Sequence, residues 1–224
     1  GNADIAVNND VKTATTGIKT EETSVVPGGL STSNVGFRGE REISKGLKAT
    51  FQMEFEVDQT TDTGIVKTRV GLVGLAGDFG AVTFGRRTTL AKATIDALDA
   101  NDGANTAGFI GDNARDSRRN DMITYSSPNF MGFSADVQIG LGAPTRITSA
   151  AGVVTQDGKS EDSNSVGLNY TNGPLAVKWV NDSIKNYSKS VSVAGYSVAV
   201  PTAIATRKNE AVGATYDFGV AKLY

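Results

Sequence analysis

The sequence predicts an all-β chain, folded as a transmembrane antiparallel up-and-down β-barrel, and three observations carry that prediction. The first is strict period-two alternation. Leu47, Ala49, Phe51, Met53, Phe55 and Val57 fall on one face of a strand, with Lys48, Thr50, Gln52, Glu54 and Glu56 on the other. The second is the length of that strand, about a dozen residues. A soluble strand usually runs to about five or six, whereas a tilted membrane strand needs about 9–11. The third is the rhythm of the connections, short at one end and long at the other, as in an up-and-down meander. Greek-key connections in a sandwich would not keep that rhythm.

Taken along the chain, a first, clipped strand is expected at residues 3–7, followed by a long connection at 9–32. Residues 34–42 then set Val35 and Phe37 against Asn34, Arg38 and Glu40. A tight turn at 43–46 leads into the long strand, and a longer connection at 59–64 into the next. That strand carries Arg69 opposite Val70 and Leu72, and turns at 77–80 into AVTFGRR, where Val82 and Phe84 face outward. Residues 88–119 show no strand periodicity, too long a stretch to be casual in a compact domain. Their first half, LAKATIDALDAN, predicts a short helix placing Leu90, Ile95 and Leu98 against the wall.

Beyond it, a strand with Thr124 inward turns at 128–132 into one that sets Phe133, Ala135, Val137 and Ile139 against Ser134, Asp136 and Gln138. After a long connection at 142–162, Val166, Leu168 and Tyr170 alternate with Gly167 and Asn169, and the chain turns at 171–174. Leu175, Val177 and Trp179 alternate with Ala176 and Lys178, and another long connection covers 183–208. Val212, Ala214 and Tyr216 alternate with Gly213 and Thr215, and a turn at 217–219 begins a last strand that stops at Tyr224. The turns are rich in Gly, Asn, Asp and Pro. Gly71, Gly85, Gly140 and Gly213 inside strands suit a tilted, closely packed wall. The count is about eleven strands, whereas single-chain bacterial barrels have an even number. The expectation is therefore a single barrel domain over 1–224 that lacks a few N-terminal residues and a substantial C-terminal portion.

Composition removes whole classes of function. The 224 residues carry 22 Lys+Arg against 24 Asp+Glu, a formal charge of −2, and no basic surplus for a nucleic acid. The absence of cysteine excludes disulfide scaffolds, thiolate-held metals and thiol nucleophiles. The absence of histidine removes Ser-His-Asp catalysis and the common metal sites. The run from Asp99 to Gly103 has its glycine out of register for a calcium loop, with Ile110 where the bidentate Glu belongs. No enzymatic activity, cofactor or metal is expected. No stretch reaches the 18 or so apolar residues of a spanning helix.

Five runs carry a resemblance: SNVGFRGEREISKGLKATFQMEFEVD, VGLAGDFGAVTFGRR, RNDMITYSSPNFMGFSADVQIG, YTNGPLAVKW and GATYDFGVAKLY. In this order and spacing they resemble the Gram-negative general porins, especially the proteobacterial type related to anion-selective porins. The resemblance implies a barrel of about 16 strands and a homotrimer in the bacterial outer membrane, among lipid and lipopolysaccharide. It also implies a water-filled pore for ions and small hydrophilic solutes, narrowed by an infolded third extracellular loop. The closing strands and the aromatic C-terminus of that family are absent from this sequence.

A channel of this kind does no bond chemistry; it selects by width and by fixed charge at its constriction. Strand parity nominates Arg38, Lys48 and Arg69 as a basic ladder on one inner wall. Parity from Val82 and Phe84 makes Arg87 inward, whereas the family's Gly-Arg motif favours Arg86, so both are candidates. Arg118 shares parity with Thr124. By resemblance 88–119 is the infolded loop, and its acids Asp96, Asp99 and Asp102, with Asp112 and Asp116 beyond, are candidates to face the basic wall. Glu54 and Glu56 are read as lining a polar lumen rather than as a catalytic pair. The balance leans weakly towards anions. Two other readings stand beside the open pore. A substrate-specific channel needs an aromatic track in the lumen, and Phe51, Phe55, Phe133, Tyr170 and Trp179 are expected to face outward. A soluble secreted β-protein binding a ligand would bury the same apolar faces in a core.

Overall fold

Strands that alternate in polarity pair in phase with their neighbours, because a one-residue slip would turn every side chain to the wrong face. The computed structural model describes residues 1–62, 64–100, 118–148, 154–160, 162–186 and 205–224. A hairpin of β1 (Ile5–Thr13) and β2 (Lys19–Pro27) opens the chain. Then come β3 (Asn34–Ser44), β4 (Leu47–Asp58), β5 (Gly64–Gly77), β6 (Gly80–Thr88), the helix α1 (Leu90–Ala97), β7 (Arg118–Ser126) and β8 (Phe133–Gly140). A second hairpin, β9 (Ala143–Thr148) and β10 (Val154–Ser160), precedes β11 (Asp162–Asn172), β12 (Leu175–Asn186), β13 (Ala205–Asp217) and β14 (Lys222–Leu223). Ten strands make one antiparallel sheet, ordered β14-β13-β12-β11-β8-β7-β6-β5-β4-β3, and each hairpin forms a sheet of its own.

The strand expected at 3–7 is not a strand of this wall, so ten wall strands stand where about eleven were counted. Only Asn2 pairs there, exchanging two 2.8 Å N–H···O bonds with Asn34. The chain then leaves the wall into β1, because Asp4 closes a loop instead of continuing the ladder. Its carboxylate accepts from the N–H groups of Gly29 (3.1 Å), Leu30 (2.9 Å) and Ser31 (2.6 Å), tying together the base of the β1–β2 hairpin. Lacking a tertiary signal, the sequence shows this segment only as a long connection.

The two faces of the ten-stranded sheet differ as alternation requires. One carries Phe37, Phe51, Val73, Phe84, Phe133, Leu168 and Val212, all exposed. An apolar face left open over so many strands requires an apolar surrounding rather than water. The other, inner face carries Gln52, Thr83, Thr124, Asp136, Gln138, Ser165 and Asp182, and α1 packs on it against β11, β12 and β13. The core lies under that helix, where Leu90, Ala91 and Ile95 meet a wall that includes Val180 and Ile184, both at most 1% exposed.

One phase error of the sequence reading is instructive. Directly opposed residues share a face, and Val70 pairs with Glu54 and Leu72 with Gln52, so Val70 and Leu72 turn inward rather than outward. The register shifts between Glu54 and Phe55, which leaves Arg69 as the extra residue of a β-bulge. Arg69 still reaches the inner face, through the bulge and not through simple alternation.

Candidate functional site

The inner ends of β4, β5, β6 and β7 gather a charged cluster. Arg69 Nε lies 2.6 Å from Glu54 Oε1 and its Nη1 3.5 Å from Glu56 Oε2, while Lys67 Nζ lies 3.2 Å from the same Glu56 oxygen. Glu54 and Glu56 stand two apart on β4, so alternation alone puts both on the inner face. Arg86 donates from Nε to the Thr68 carbonyl (2.9 Å) and from Nη1 to Asn120 Oδ1 (2.8 Å), and has no carboxylate partner among the described residues. Arg118, half-buried, sits in the electrostatic field of Arg69, Arg86, Glu54 and Glu56, and its Nε has no hydrogen-bond partner. Among the described residues, four cations thus gather about two carboxylates, of which only Lys67 and Arg69 are ion-paired. On the neighbouring seam Arg38, opposite Gln52, is exposed and has no ion pair among the described residues.

Arg86 and Arg87 both lie in this region but in opposite phase on β6: Arg86 stands opposite Gly71, which pairs with the outer-face Met53, and reaches Thr68 and Asn120 at the strand end. Arg87 donates to Thr83 Oγ1 at 2.8 Å, which fixes it on the Thr83 side of β6 as parity requires, within the field of Asp136. The β6–β7 register shifts between Gly85 and Arg87, so alternation does not hold across it. Gly85 at φ +128° and Asp121 at φ 54° carry the irregular backbone that the shift demands. Arg119, which the sequence reading passed over, is buried opposite Arg87. Lys67 was also missed, although it stands two residues before Arg69 and alternation from Arg69 already puts it on the same face.

Lys48 does not join the cluster. It lies next to the β3–β4 turn, its Nζ 2.7 Å from Glu40 Oε1. It is four residues along β4 from Gln52, about 13 Å at the usual rise per residue. Of the loop acids, Asp96 is paired with Lys92 at 2.9 Å, one turn back on α1, and Asp99 is buried at 2% exposure. Asp102, Asp112 and Asp116 lie outside the described residues.

The segment after β6 is seated by local chemistry. Thr89 caps α1, its Oγ1 accepting from Lys92 N–H at 3.2 Å. Gln138, fully buried on β8, accepts from Leu90 N–H (3.2 Å) and donates to the Thr88 carbonyl (3.3 Å) and to Thr124 Oγ1 (3.2 Å). The predicted contacts of Leu90, Ile95 and Leu98 with the wall are formed: Leu90 and Ile95 are buried, and Leu98 lies over Gly213, where a Cβ would stand 2.8 Å from Leu98 Cδ1. The inner positions below are small or apolar (Gly167, Val180, Ile184, Ala211), unlike the polar inner face elsewhere. Buried polar residues stand among them as well, including Asp182, held by the Ser165 hydroxyl, and Ser163. From the end of β6 beside the arginines, residues 89–98 pass over the inner face, and α1 docks on β11–β13. From β7 to β12 is three strand spacings, about 14 Å along the wall.

Comparison with known proteins gives a consistent outcome. The profile of the Gram-negative porin family matches residues 1–224. The outer membrane porin protein 32 of Delftia acidovorans is 31% identical over 206 residues, covering 87% of this chain and 53% of that protein. The major outer membrane protein P.IA of Neisseria meningitidis serogroup A is 32% identical over 173 residues, 64% of this chain and 41% of that protein. The solved structure of an anion-selective porin from Comamonas acidovorans superposes with a TM-score of 0.74 at 27% identity, covering 98% of this chain and 63% of that one. The chain thus spans about half the length of the curated relatives it matches.

Proposed function

The chain belongs to the Gram-negative porin family, and from that membership we propose that it forms part of a water-filled channel for passive diffusion of ions and small hydrophilic solutes. Its place is the bacterial outer membrane, where the exposed apolar face meets lipid. A soluble secreted β-protein is thereby set aside. Members of this family are channels rather than enzymes, and selection here is by width and field, not by bond chemistry. The full barrel has about 16 strands and assembles as a homotrimer surrounded by lipid and lipopolysaccharide.

We assign the constriction to the segment 88–119, whose described first part, 88–100, runs from the arginine wall to the seat on β11–β13. Its charge comes from Arg38, Arg69, Arg86, Arg87 and Arg118; of the loop acids, Asp96 is held by Lys92 and Asp99 is buried, which leaves Asp102 as the candidate to face them. Lys48 serves only the turn end, where Glu40 neutralises it. The single observation that carries the reading is the surplus, among the described residues, of cationic groups over carboxylates on the inner ends of β4–β7. A surplus of fixed positive charge in a narrow aqueous passage raises the local concentration of anions, so the channel leans towards anions, in keeping with the similarity to an anion-selective porin. A substrate-specific channel is disfavoured, since Phe51, Phe133 and Tyr170 stand on the outer-face positions of their strands.

The test is planar-bilayer recording of the intact protein across a salt gradient. Conductance steps grouped in threes with an anionic reversal potential are expected. A cationic reversal potential overturns the charge assignment, and the absence of any conductance from folded protein overturns the channel.

A further inference from the structure

The width of a channel narrowed by a loop depends on what holds the loop to the wall. We propose that Gln138 is the positioning residue of the infolded segment, clamping its start to β8 and so setting the free cross-section of the lumen. This inference rests on the channel reading above and extends it to a residue that carries no charge.

Three observations converge on Gln138. It is 0% exposed although it occupies an inner-face position in a polar wall, so its amide is not there to be hydrated. Its amide makes opposite hydrogen bonds to the two sides of one junction, accepting from Leu90 N–H and donating to the Thr88 carbonyl, 48 and 50 residues away in sequence. A third bond, to Thr124 Oγ1, fixes the rotamer from β7. Leu90 N–H is one of the amides that a helix cannot satisfy internally, so without Gln138 it is a buried orphan. The junction held this way is the point where strand β6 becomes loop. Clamped there, α1 leaves the wall in one direction, and Leu98 lands over Gly213. With the clamp lost, the same helix keeps its cap at Thr89 but swings about its first residue.

The experiment reads seating directly and does not depend on conductance. This chain has no cysteine, so Ile95→Cys places a reporter thiol on the seated side of α1, where Ile95 is 7% exposed. In the intact protein, Gln138→Leu keeps the volume but deletes the two bonds to the loop. Two net hydrogen bonds shift the seated-to-open ratio by about 30-fold, so a small hydrophilic thiol reagent should modify Ile95→Cys about 30-fold faster. Gln138→Glu keeps the acceptor for Leu90 N–H and loses both donors, and should give an intermediate rate. Polymer exclusion should shift to larger solutes in the same order. Folding of each variant is checked by heat-modifiable migration of the barrel. An unchanged labelling rate in folded Gln138→Leu overturns the clamp. If that variant does not fold, a Gln138→Glu rate equal to that with Gln138 overturns it instead. Loss of conductance in the protein that keeps Gln138, with the labelling contrast intact, would sink the channel reading and leave the clamp standing.

Discussion

Replacing Arg118 by Gln should weaken anion preference without weakening the barrel. The guanidinium is half-buried among Arg69 and Arg86, and two carboxylates are shared among the whole group. A unit charge about 5 Å from a passing ion in water-like dielectric is worth about 0.8 kcal/mol. At physiological salt the Debye length of about 8 Å roughly halves that figure. A monovalent ion then changes in local concentration by about twofold, anions and cations in opposite senses, so their permeability ratio falls by about fourfold. The same substitution removes a like-charge neighbour of Arg69 and Arg86 and an unsatisfied Nε. Thermal stability is therefore expected to hold or rise. The assay is the reversal potential of single channels across a salt gradient, repeated at about 1 M salt, where a Debye length of about 3 Å should cut the fourfold change to less than about twofold. An unaltered ratio at low salt would refute the placement of Arg118 at the lumen. A shift that persists undiminished at high salt would show that width, not charge, had changed.

Three other outcomes follow from the same geometry. Glu54→Gln releases Arg69 from its 2.6 Å partner and should raise the anion-to-cation ratio by about as much as Arg118→Gln lowers it; a fall in the reversal-potential measurement would contradict the cluster. Gly213→Val should push Leu98 off its seat and widen the polymer exclusion limit, whereas Gly71→Ala, whose Cβ meets only Thr68 Cγ2 at 3.6 Å, should leave it unchanged. Thr89→Ala removes the acceptor for Lys92 N–H, and should cost the helix about 1 kcal/mol, read as about fivefold faster amide exchange in α1.

Much of the wall was legible because alternation is a local property. Phe51 and Gln52 differ in phase by one residue, and nothing beyond β4 itself is needed to tell their faces apart. The helix was legible for a related reason, since Leu90, Ile95 and Leu98 recur at helical spacing inside a segment with no strand period. The site was legible in its ingredients and not in its arrangement. Arg38 and Arg69 were nominated from parity, yet Arg69 arrives through a bulge that turns Val70 and Leu72 inward, and bulges leave no reliable mark in one sequence. Arg119 falls on the inner face only through such an irregularity, the register shift between β6 and β7, whereas Lys67, two residues before Arg69, was within reach of parity.

The sequence by itself determined most strands of the ten-stranded wall, their faces outside β5, the tight turns between them and the stock of arginines near the long segment, because each follows from neighbours a few residues apart; the hairpins β1–β2 and β9–β10 were hidden in stretches that read as long connections. Tertiary structure alone decided that Asp4 diverts the chain into a hairpin, that Glu40 removes Lys48 from the cluster, and that Gln138 and Gly213 receive the infolded segment. These pairings join residues from eight positions apart, at Glu40 and Lys48, through 50 at Gln138 and Thr88, to the far longer Leu98–Gly213 contact across the inner face. A strand pattern records which way a side chain points. Which side chain it meets across a barrel depends on the closure of the sheet and the path of one loop, and those are settled only when every strand is paired.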